Sequence, residues 1–219
     1  EKLLPGACLL EEMVPIEKEI ALVVARNKRG EIAAFPPVEM LFDPDANLVT
    51  FLACPARISP EIAAAAEALA RKTIETYDIC GLLAVELFLT TDQQLLVNEV
   101  APRPHNSGHH TIESCYTSQF EQHIRGVLDL PLGSTRLKVP AAVMLNLLGE
   151  PGFEGPAIYE NMDQCLGMEG VYVHLYGKAT TKPFRKMGHV TVLGETPEGA
   201  MEKALEVRAL LKVKSGHQL

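Results

Sequence analysis

Positive charge is scarce in this sequence. Its 20 Lys and Arg residues stand against 28 Asp and Glu residues, which gives a formal net charge of −8 at pH 7. Bulk attraction to nucleic acid or to an anionic membrane surface is therefore not expected, although a local basic pocket can still bind an anion. Long apolar runs are lacking too, since no stretch approaches the roughly 20 apolar residues of a membrane span. We expect neither a nucleic-acid partner nor a membrane partner.

Paired cysteines are also lacking. The five cysteines, Cys8, Cys54, Cys80, Cys115 and Cys165, are spread along the chain, and no two have the spacing of zinc ligands. The sequence also lacks a basic segment followed by an apolar one, the pattern of a secretory leader. Both observations favour reduced thiols and a cytoplasmic location. The first residues, EKLLPGACLLEEMV, begin without methionine and enter an apolar segment at once. We expect the chain to be truncated at its N-terminus.

Strand patterns dominate what is present. Hydrophobic residues make up 47% of the chain, as in globular proteins, and 219 residues suffice for one large domain or two small ones. Gly30 suits a hairpin turn between two of the first strands, whereas the prolines of residues 42–55 favour irregular structure. We predict an α+β protein with a mostly antiparallel sheet and a smaller C-terminal module. The predicted strands are 8–10, 18–25, 31–35, 82–90, 94–100, 141–149, 171–177 and 188–194.

Three helices are indicated by their first residues. Ser59 precedes proline and glutamate, a pattern that predicts a helix over 59–77. Ser118 and Glu121 form a capping-box signature that opens a second helix, and a third begins at Thr196. We expect an apolar face on each of the first two helices to be buried. These faces are Ile62, Ala66, Leu69, Thr73 and Tyr77 in the first helix, and Phe120, Ile124, Val127 and Leu128 in the second.

Two carboxylates interrupt adjacent apolar strands. Glu86 lies in LLAVELFLT and Glu99 in LLVNEVAP, with a turn near Asp92 between them. That turn places the two side chains roughly opposite one another, where like charges raise each other's pKa unless a cation lies between them. Mg²⁺ is bound by one or two carboxylates together with substrate phosphates, and Asn98 offers another oxygen. In the equally weighted alternative, one glutamate faces solvent and the other caps a turn.

The loop that follows the second of these strands is rich in polar groups. Arg103 and His105 alternate with prolines, which restrict the directions of both side chains. An arginine fork suits a phosphate or carboxylate, and a neighbouring histidine can transfer a proton or bind an anion. A zinc site formed by His105, His109 and His110 is the weaker alternative, because the residues between them do not favour an aligning helix. His109 and His110 fit polar loop residues without a special task.

A basic segment lies near the C-terminus. YGKATTKPFRKMGHV carries Lys178, Lys182, Arg185 and Lys186 within nine residues of an acidic protein. This local positive charge predicts an anionic ligand such as a phosphate monoester. A solvated hairpin rim is the equally weighted alternative, since strand edges commonly carry lysine.

Several segments resemble one known enzyme family. NEVAPRPHNSGHHT (98–111), followed by TSQFEQHIRGVLDLPLG (117–133), resembles the signature of the 5-(carboxyamino)imidazole ribonucleotide synthase family, in the ATP-grasp superfamily. CLLEEMVPIEKEIALVVAR (8–26) and YGKATTKPFRKMGHV (176–190) agree as well. The resemblance implies the C-terminal portion of an ATP-grasp fold. Residues 1–24 would be a remnant of its lid domain, 25–139 its central domain, and 140–219 a small β-rich module.

The resemblance implies an ATP-dependent ligase of purine biosynthesis. ATP and bicarbonate would give carboxyphosphate, and that species, or the carbon dioxide released from it, would carboxylate 5-aminoimidazole ribonucleotide. The cofactors would be ATP and Mg²⁺, with Mn²⁺ as substitute, and the assembly would be a homodimer. The implied metal ligands are Glu86 and Glu99, and the implied catalytic residues are Arg103 and His105. The implied nucleotide contacts are Glu11, Glu12, Met13, Val14, Glu19, Asn98 and Glu99. The implied substrate contacts are Asn106, Ser107, Lys178, Arg185 and Lys186.

The chain also departs from the family pattern. The glycine-rich phosphate loop and the lysines that grip ATP are missing, so we expect little or no turnover from this chain alone. Phe42 stands where many relatives carry histidine, which leaves one nucleotide contact open. Two alternatives remain: another ATP-grasp ligase, and a catalytically dead binding or dimerisation fragment held together by the apolar residues of 120–128.

Overall fold

A long antiparallel sheet is the main feature of the fold. The computed structural model describes residues 8–43 and 48–216. Its strands are β1 (Ile16–Arg26), β2 (Ile32–Ala34), β3 (Val38–Asp43), β4 (Leu48–Cys54), β5 (Gly81–Thr90), β6 (Leu95–Ala101), β7 (Ala141–Leu148), β8 (Gly155–Glu160), β9 (Val171–Leu175), β10 (Thr180–Thr181), β11 (Lys186–Gly194) and β12 (Lys212–Ser215). Its helices are α1 (Pro60–Thr76), α2 (Thr111–Ser114), α3 (Gln119–Val127), α4 (Met162–Leu166) and α5 (Pro197–Leu210), with a 3-10 turn at Asn106–Gly108.

The predicted α+β class with a mostly antiparallel sheet is confirmed. The main sheet has the strand order β6-β5-β1-β3-β4-β7-β11-β9, with β2 paired to β1, and a second sheet has the order β10-β8-β12. The proposed boundary between residues 24 and 25 lies inside β1, and β7 pairs with β4 across the proposed boundary at 139. The division into domains stays a prediction. No helix among the described residues is both long and apolar enough to cross a membrane.

The two faces of the main sheet have different coverings. Alternate residues of β1 pack against the buried residues of α1, and α5 covers the same face farther along, over β7 and β11. The register Ile20↔Glu39↔Ala53↔Val143 identifies this as one face, because paired residues point to the same side of a sheet. The opposite face, which contains Ala21, carries α2, α3 and the loop after β6. This second face bears the candidate site.

Helix starts and the main hairpins follow the sequence prediction. The hydroxyls of Ser59 and Ser118 accept hydrogen bonds from the backbone N–H groups of Ile62 and Glu121, at 3.3 and 3.2 Å. β1 and β2 are joined through Gly30, whose φ is +84°. β5 and β6 form the predicted hairpin, and β7, β9 and β11 occupy the three predicted C-terminal strands.

Two strand predictions are wrong. Residues 8–10 have no regular structure, and the segment 42–55, predicted as irregular, contains the end of β3 and the whole of β4. β4 is an interior strand whose residues 50–54 are all buried, between β3 and β7. A strand buried on both faces has no apolar-polar alternation, so its pattern is not recognisable by periodicity alone.

The predicted buried faces of α1 and α3 also need correction. In α1 the predicted Ala66 is buried and Leu69 packs against the core, but Ala70 and Ile74 are buried as well and Tyr77 is 61% exposed. α3 buries Gln119, Gln122 and Gly126, and exposes its apolar residues. Small residues are buried because they let a helix approach the sheet closely. The glutamine amides of α3 are buried because they hydrogen-bond to buried backbone groups. The exposed residues of α3 and the turn after it are Phe120 (40%), Ile124 (55%), Val127 (43%) and Leu128 (63%).

A close strand approach on β11 gives a stability prediction. A Cβ on Gly188 would lie 2.3 Å from the backbone oxygen of His174 on the neighbouring strand β9. Gly188→Ala is therefore expected to lower the free energy of unfolding by about 3 kcal/mol, because a backbone clash is relieved only by moving the strands apart. Urea unfolding followed by circular dichroism measures the change.

Gly167→Ala is the matched control for this prediction. The nearest atom to its added Cβ lies at 3.4 Å, and φ at Gly167 is −78°. We expect this variant to unfold within about 0.5 kcal/mol of the parent. Equal stability of the two variants would contradict the close approach of β9 and β11.

Candidate active site

The two predicted metal-binding carboxylates face each other across a hairpin. Glu86 on β5 pairs directly with Glu99 on β6, so both side chains point to the same face of the sheet. Glu19 on β1 shares that face, because its partner Phe88 lies two residues from Glu86. Burial, the charge of Glu99 and the charge of Glu19 raise the pKa of Glu86, while Lys186 opposes them; burial also raises the pKa of Glu19. The arrangement concentrates negative charge that a divalent cation would neutralise.

A β-bulge sets the position of Asn98. The register passes from Glu86↔Glu99 to Leu87↔Val97, which leaves Asn98 as an extra residue opposite β5. Such a bulge re-aims a side chain next to a functional site without breaking the strand pair. Among the described residues, no group of three or more His, Cys, Asp or Glu side chains has a metal-binding arrangement. Two carboxylates alone would leave the remaining coordination positions of a cation such as Mg²⁺ to a bound molecule such as a phosphate.

His105 lies against this acid pair in a defined protonation state. Its Nδ1 accepts hydrogen bonds from the Ser107 backbone N–H at 3.3 Å and from the Ser107 hydroxyl at 2.9 Å. Since Nδ1 is the acceptor, the proton of the neutral ring is on Nε2, which lies 3.6 Å from Glu86 Oε1. Burial, Arg103 and Lys186 lower the pKa of His105, against the charge of Glu99. His105 is thus a neutral donor directed at the acid pair.

The other predicted loop residues take different positions. Arg103 is exposed, with Nη1 donating to the Pro104 carbonyl at 3.2 Å. Asn106 exchanges hydrogen bonds with Asn146 of β7, at 2.9 and 3.3 Å. Ser107 is 2% exposed and its hydroxyl is used by His105. The loop therefore exposes Arg103, directs the largely buried His105 at the acid pair, and uses Asn106 and Ser107 for internal contacts.

One lysine of the basic segment, Lys186, interacts electrostatically with Glu86 of the acid pair. The register of β11 with β7 shifts between Lys186 and Gly188, a second bulge next to a predicted site residue. Desolvation and Lys178 lower the pKa of the Lys186 ammonium, while Glu86 raises it. Lys178 donates to the Lys186 carbonyl, and Arg185 donates to the carbonyl and hydroxyl of Thr180, both at 3.0 Å. Lys186 thus interacts electrostatically with Glu86, whereas Lys178 and Arg185 make hydrogen bonds within the hairpin.

The predicted nucleotide segment, residues 11–14, is largely exposed. Glu11, Glu12 and Met13 are exposed, Met13 by 93%, and Val14 is partly buried. This stretch has no regular structure and leads directly into β1. It therefore borders the face that carries Glu19.

Comparison with known proteins agrees with this geometry. Residues 2–120 match the family model of the ATP-grasp domain, and residues 142–203 match that of the phosphoribosylaminoimidazole carboxylase C-terminal domain. The chain belongs to the ATP-grasp family.

Relatives of this ATP-grasp chain have a consistent description. It is 43% identical over 204 residues to the N5-carboxyaminoimidazole ribonucleotide synthase of Synechococcus elongatus, covering 93% of this chain and 50% of that protein. The synthetase structure from Thermotoga maritima has a TM-score of 0.87 at 50% identity, covering 94% of this chain and 54% of that one. An Aspergillus clavatus synthase in complex with ADP and 5-aminoimidazole ribonucleotide has a TM-score of 0.77 at 33% identity, covering 89% and 52%. The chain thus spans about half the length of these relatives.

His174 and His189 on this face of the ATP-grasp chain were not predicted from the sequence, and His109 and His110 were predicted only as polar loop residues. His109, His174 and His189 stack face to face, with ring centroids 4.6 Å apart for His109–His189 and 4.5 Å apart for His174–His189. The zinc alternative grouped His105, His109 and His110, but Nδ1 of each of these rings lies within hydrogen-bond distance of a different residue, Ser107, Gln119 and Ser114 respectively, which disfavours one shared metal. His110 is 1% exposed and its Nδ1 lies 2.7 Å from the Ser114 hydroxyl. A histidine inside the apolar strand GHVTVLG was the one available signal.

Proposed function

We propose that this chain is part of an N5-carboxyaminoimidazole ribonucleotide synthase. This part would bind the metal-coordinated phosphates of ATP, and it would also bind bicarbonate and the ribonucleotide. The proposed reaction transfers the γ-phosphoryl group of ATP to bicarbonate, giving ADP and carboxyphosphate. The amino nitrogen of 5-aminoimidazole ribonucleotide then attacks the carboxyl carbon; the C–N bond forms as the C–O bond to the phosphate group breaks, phosphate leaves, and the nitrogen loses a proton. The observation that carries the proposal is the opposed Glu86–Glu99 pair with His105 beside it.

The nucleotide side of the proposal rests on the carboxylates. Glu86 and Glu99 would hold Mg²⁺, or Mn²⁺ in its place, which supplies charge neutralisation for phosphoryl transfer. Glu19, on the same face, would contact the ribose, and residues 11–14 the adenine, with Asn98 beside the phosphates. Like charges on one face are unfavourable without a cation, which is the physical support for this assignment.

The bicarbonate side rests on the loop and on Lys186. His105 in its Nε2–H form donates a hydrogen bond to an oxyanion and does not need to be protonated for that role. Arg103, exposed beside it, offers the fork that binds a carboxylate or phosphate edge. Lys186, with Lys178 and Arg185 behind it, would bind the ribonucleotide phosphate. Asn106 and Ser107 would act by shaping this loop.

Nucleotide binding tests the proposal on this chain directly. We expect Mg²⁺-ADP to bind, and 5-aminoimidazole ribonucleotide to bind in its presence, in isothermal titration calorimetry. Binding that is the same without Mg²⁺ would contradict the role of the carboxylate pair. Glycinamide ribonucleotide-type and biotin-type acceptors separate this assignment from other ATP-grasp ligases, because the Arg103 loop and the Lys186 segment are expected to reject them.

A homodimer is the proposed assembly, and the exposed face of α3 supports it. Phe120, Ile124, Val127 and Leu128 form an apolar strip that is 40–63% exposed in the single chain. Burial of such a strip in a partner is favourable by about 25 cal/mol per Å². This observation equally favours the alternative function, a binding or dimerisation module.

Charge on the α3 strip provides the corresponding prediction. Ile124→Glu is expected to shift the chain from dimer to monomer in sedimentation velocity, because a carboxylate in an apolar contact is costly. Leu205→Glu, at a 49% exposed position on α5, is the matched control and should leave the sedimentation coefficient unchanged. A parent chain that sediments as a monomer at all concentrations would refute the dimer.

A further inference from the structure

A fully buried glutamine fixes the loop that carries His105. Gln119, 0% exposed at the start of α3, accepts from the His105 backbone N–H at 2.8 Å and donates to the His105 carbonyl at 2.8 Å. The same Nε2 group lies 3.0 Å from Nδ1 of His109, so it donates to that ring as well. Gly108 leaves room for this side chain, since a Cβ there would lie 2.5 Å from Gln119 Oε1. One side chain thus holds both backbone groups of His105 and one ring of the histidine stack.

The stack connects this loop to the far end of the sheet. His109 packs on His189 of β11, and His189 packs on His174 of β9. The ring edges are also held: Tyr176 Oη lies 3.1 Å from His189 Nδ1, and His174 Nε2 lies 2.8 Å from Glu113 Oε1 on α2. Stacking sets the ring distances and these hydrogen bonds set the ring rotations, so the group is a defined link rather than general core packing.

The strand reached by this link also carries Lys186. His189 lies on β11 three residues beyond Lys186, and its backbone pairs with Asn146, which in turn binds Asn106 of the loop. The loop is therefore attached to β7 and β11 at two points, through the histidine stack and through the paired amides. The stack is buried at its centre, where His189 is 3% exposed. Loss of the central ring would leave a cavity between the loop and β11.

We propose that Gln119 and His189 are positioning residues, which hold His105 at the acid pair. Gln119 acts directly on the His105 backbone, and His189 acts through the stacked ring of His109, which Gln119 also binds. The assignment rests on the proposed function, because His105 is a catalytic residue only there. The local link itself is a property of the fold and is measurable without turnover.

Amide hydrogen exchange in the full 219-residue chain tests the link. The His105 N–H is expected to be protected by Gln119, and His189→Ala should accelerate its exchange about fivefold relative to the amides of β1, because loss of the stack loosens the Gln119–His105 hydrogen bond. Nitrogen-15 spectra of the imidazoles give a second readout: the Nε2–H form of His105 should give way to a mixture of tautomers. Unchanged exchange and unchanged tautomer in His189→Ala would overturn the proposal.

Val190→Ala is the matched control. Val190 is the next residue on β11, is 0% exposed, and belongs to the core on the opposite face of the sheet. It should accelerate His105 exchange no more than exchange of the β1 amides, and equal loosening of His105 by both variants would refute a specific link. If His189→Ala does not fold, His189→Phe keeps the stack without the Tyr176 hydrogen bond, and about threefold faster exchange is expected. Unchanged His105 exchange in that variant would refute the proposal.

Titration of the same samples with Mg²⁺-ADP separates the two proposals. Loss of His105 protection in His189→Ala without any nucleotide binding to the parent chain supports the link and rejects the proposed function. Nucleotide binding by the parent with full His105 protection in His189→Ala rejects the positioning role and leaves the proposed function standing.

Discussion

Glu99→Gln is expected to weaken magnesium-dependent ADP binding at least about a hundredfold, equivalent to ~2.7 kcal/mol. Glu86→Gln should act in the same direction. Each change removes one of the two carboxylates that face each other across the β5–β6 hairpin, and the neutral amide left behind is a poorer ligand for a hard cation. Calorimetric titration of Mg²⁺-ADP measures the loss, and Mn²⁺ is expected to bind with the same dependence on both residues.

The electrostatics of the pair separate lost binding from lost folding. The charge of Glu99 contributes to the raised pKa of Glu86, so removing that charge relieves repulsion in the folded chain without metal. Glu99→Gln should therefore unfold at the same or a higher temperature than the parent while binding nucleotide poorly. Glu75→Gln, an exposed change on α1 on the opposite face, should alter neither property. Full nucleotide affinity in both pair variants would contradict the metal site.

Acid is expected to destabilise this fold well above the pH at which ordinary carboxylates titrate. Burial lowers the pKa of His109 and of His110 to about 4, and that of His189 to about 3, where neighbouring histidines add to the effect. In the unfolded chain these rings titrate near 6.5. Below pH 6.5 the unfolded chain therefore takes up protons that the folded chain does not, and stability present above pH 6.5 is lost as the pH falls toward 4.

The size of this loss of stability is set mainly by His110 and His189, the two most buried of these rings. Each neutral histidine contributes about 1.4 kcal/mol per pH unit, so we expect the free energy of unfolding to fall by at least about 3 kcal/mol between pH 6.5 and 4.5. Glu86 and Glu19, with raised pKa values, bind protons in the folded state and offset part of the loss. Urea unfolding at pH 7, 6, 5 and 4.5 measures the slope, and His189→Phe should reduce it by one proton. A constant urea midpoint from pH 7 to 5 would contradict the neutral stack.

Local signals were sufficient for the helix starts and for the acid pair. Ser59 and Ser118 act within three residues along the chain, and Glu86 and Glu99 are joined by one short hairpin turn. In such cases the sequence specifies the contact partner directly, because the intervening chain is too short to allow another arrangement. The Asn98 bulge, by contrast, depends on how β6 settles against β5 and has no sequence signature of its own.

Long-range packing decided the features that sequence reasoning missed. β4 has no apolar-polar periodicity because both of its faces are buried. The glutamines of α3 point inward because they bind backbone groups of the His105 loop and of Gly133. The pattern of apolar residues in a sequence does not specify which element a helix face will pack against. On α3 the apolar residues that the pattern predicts to be buried are the exposed ones.

The sequence by itself determined the family, the antiparallel α+β class and the pair of strand glutamates, because each follows from short motifs or from neighbours along the chain. Only the tertiary structure decided that His109, His174 and His189 stack, that Gln119 holds His105, and that the charge of Lys186 acts on Glu86. These groups come from strands at opposite ends of one sheet and from the loop between them. Their contacts depend on how the whole sheet brings distant segments together, and no local preference encodes that.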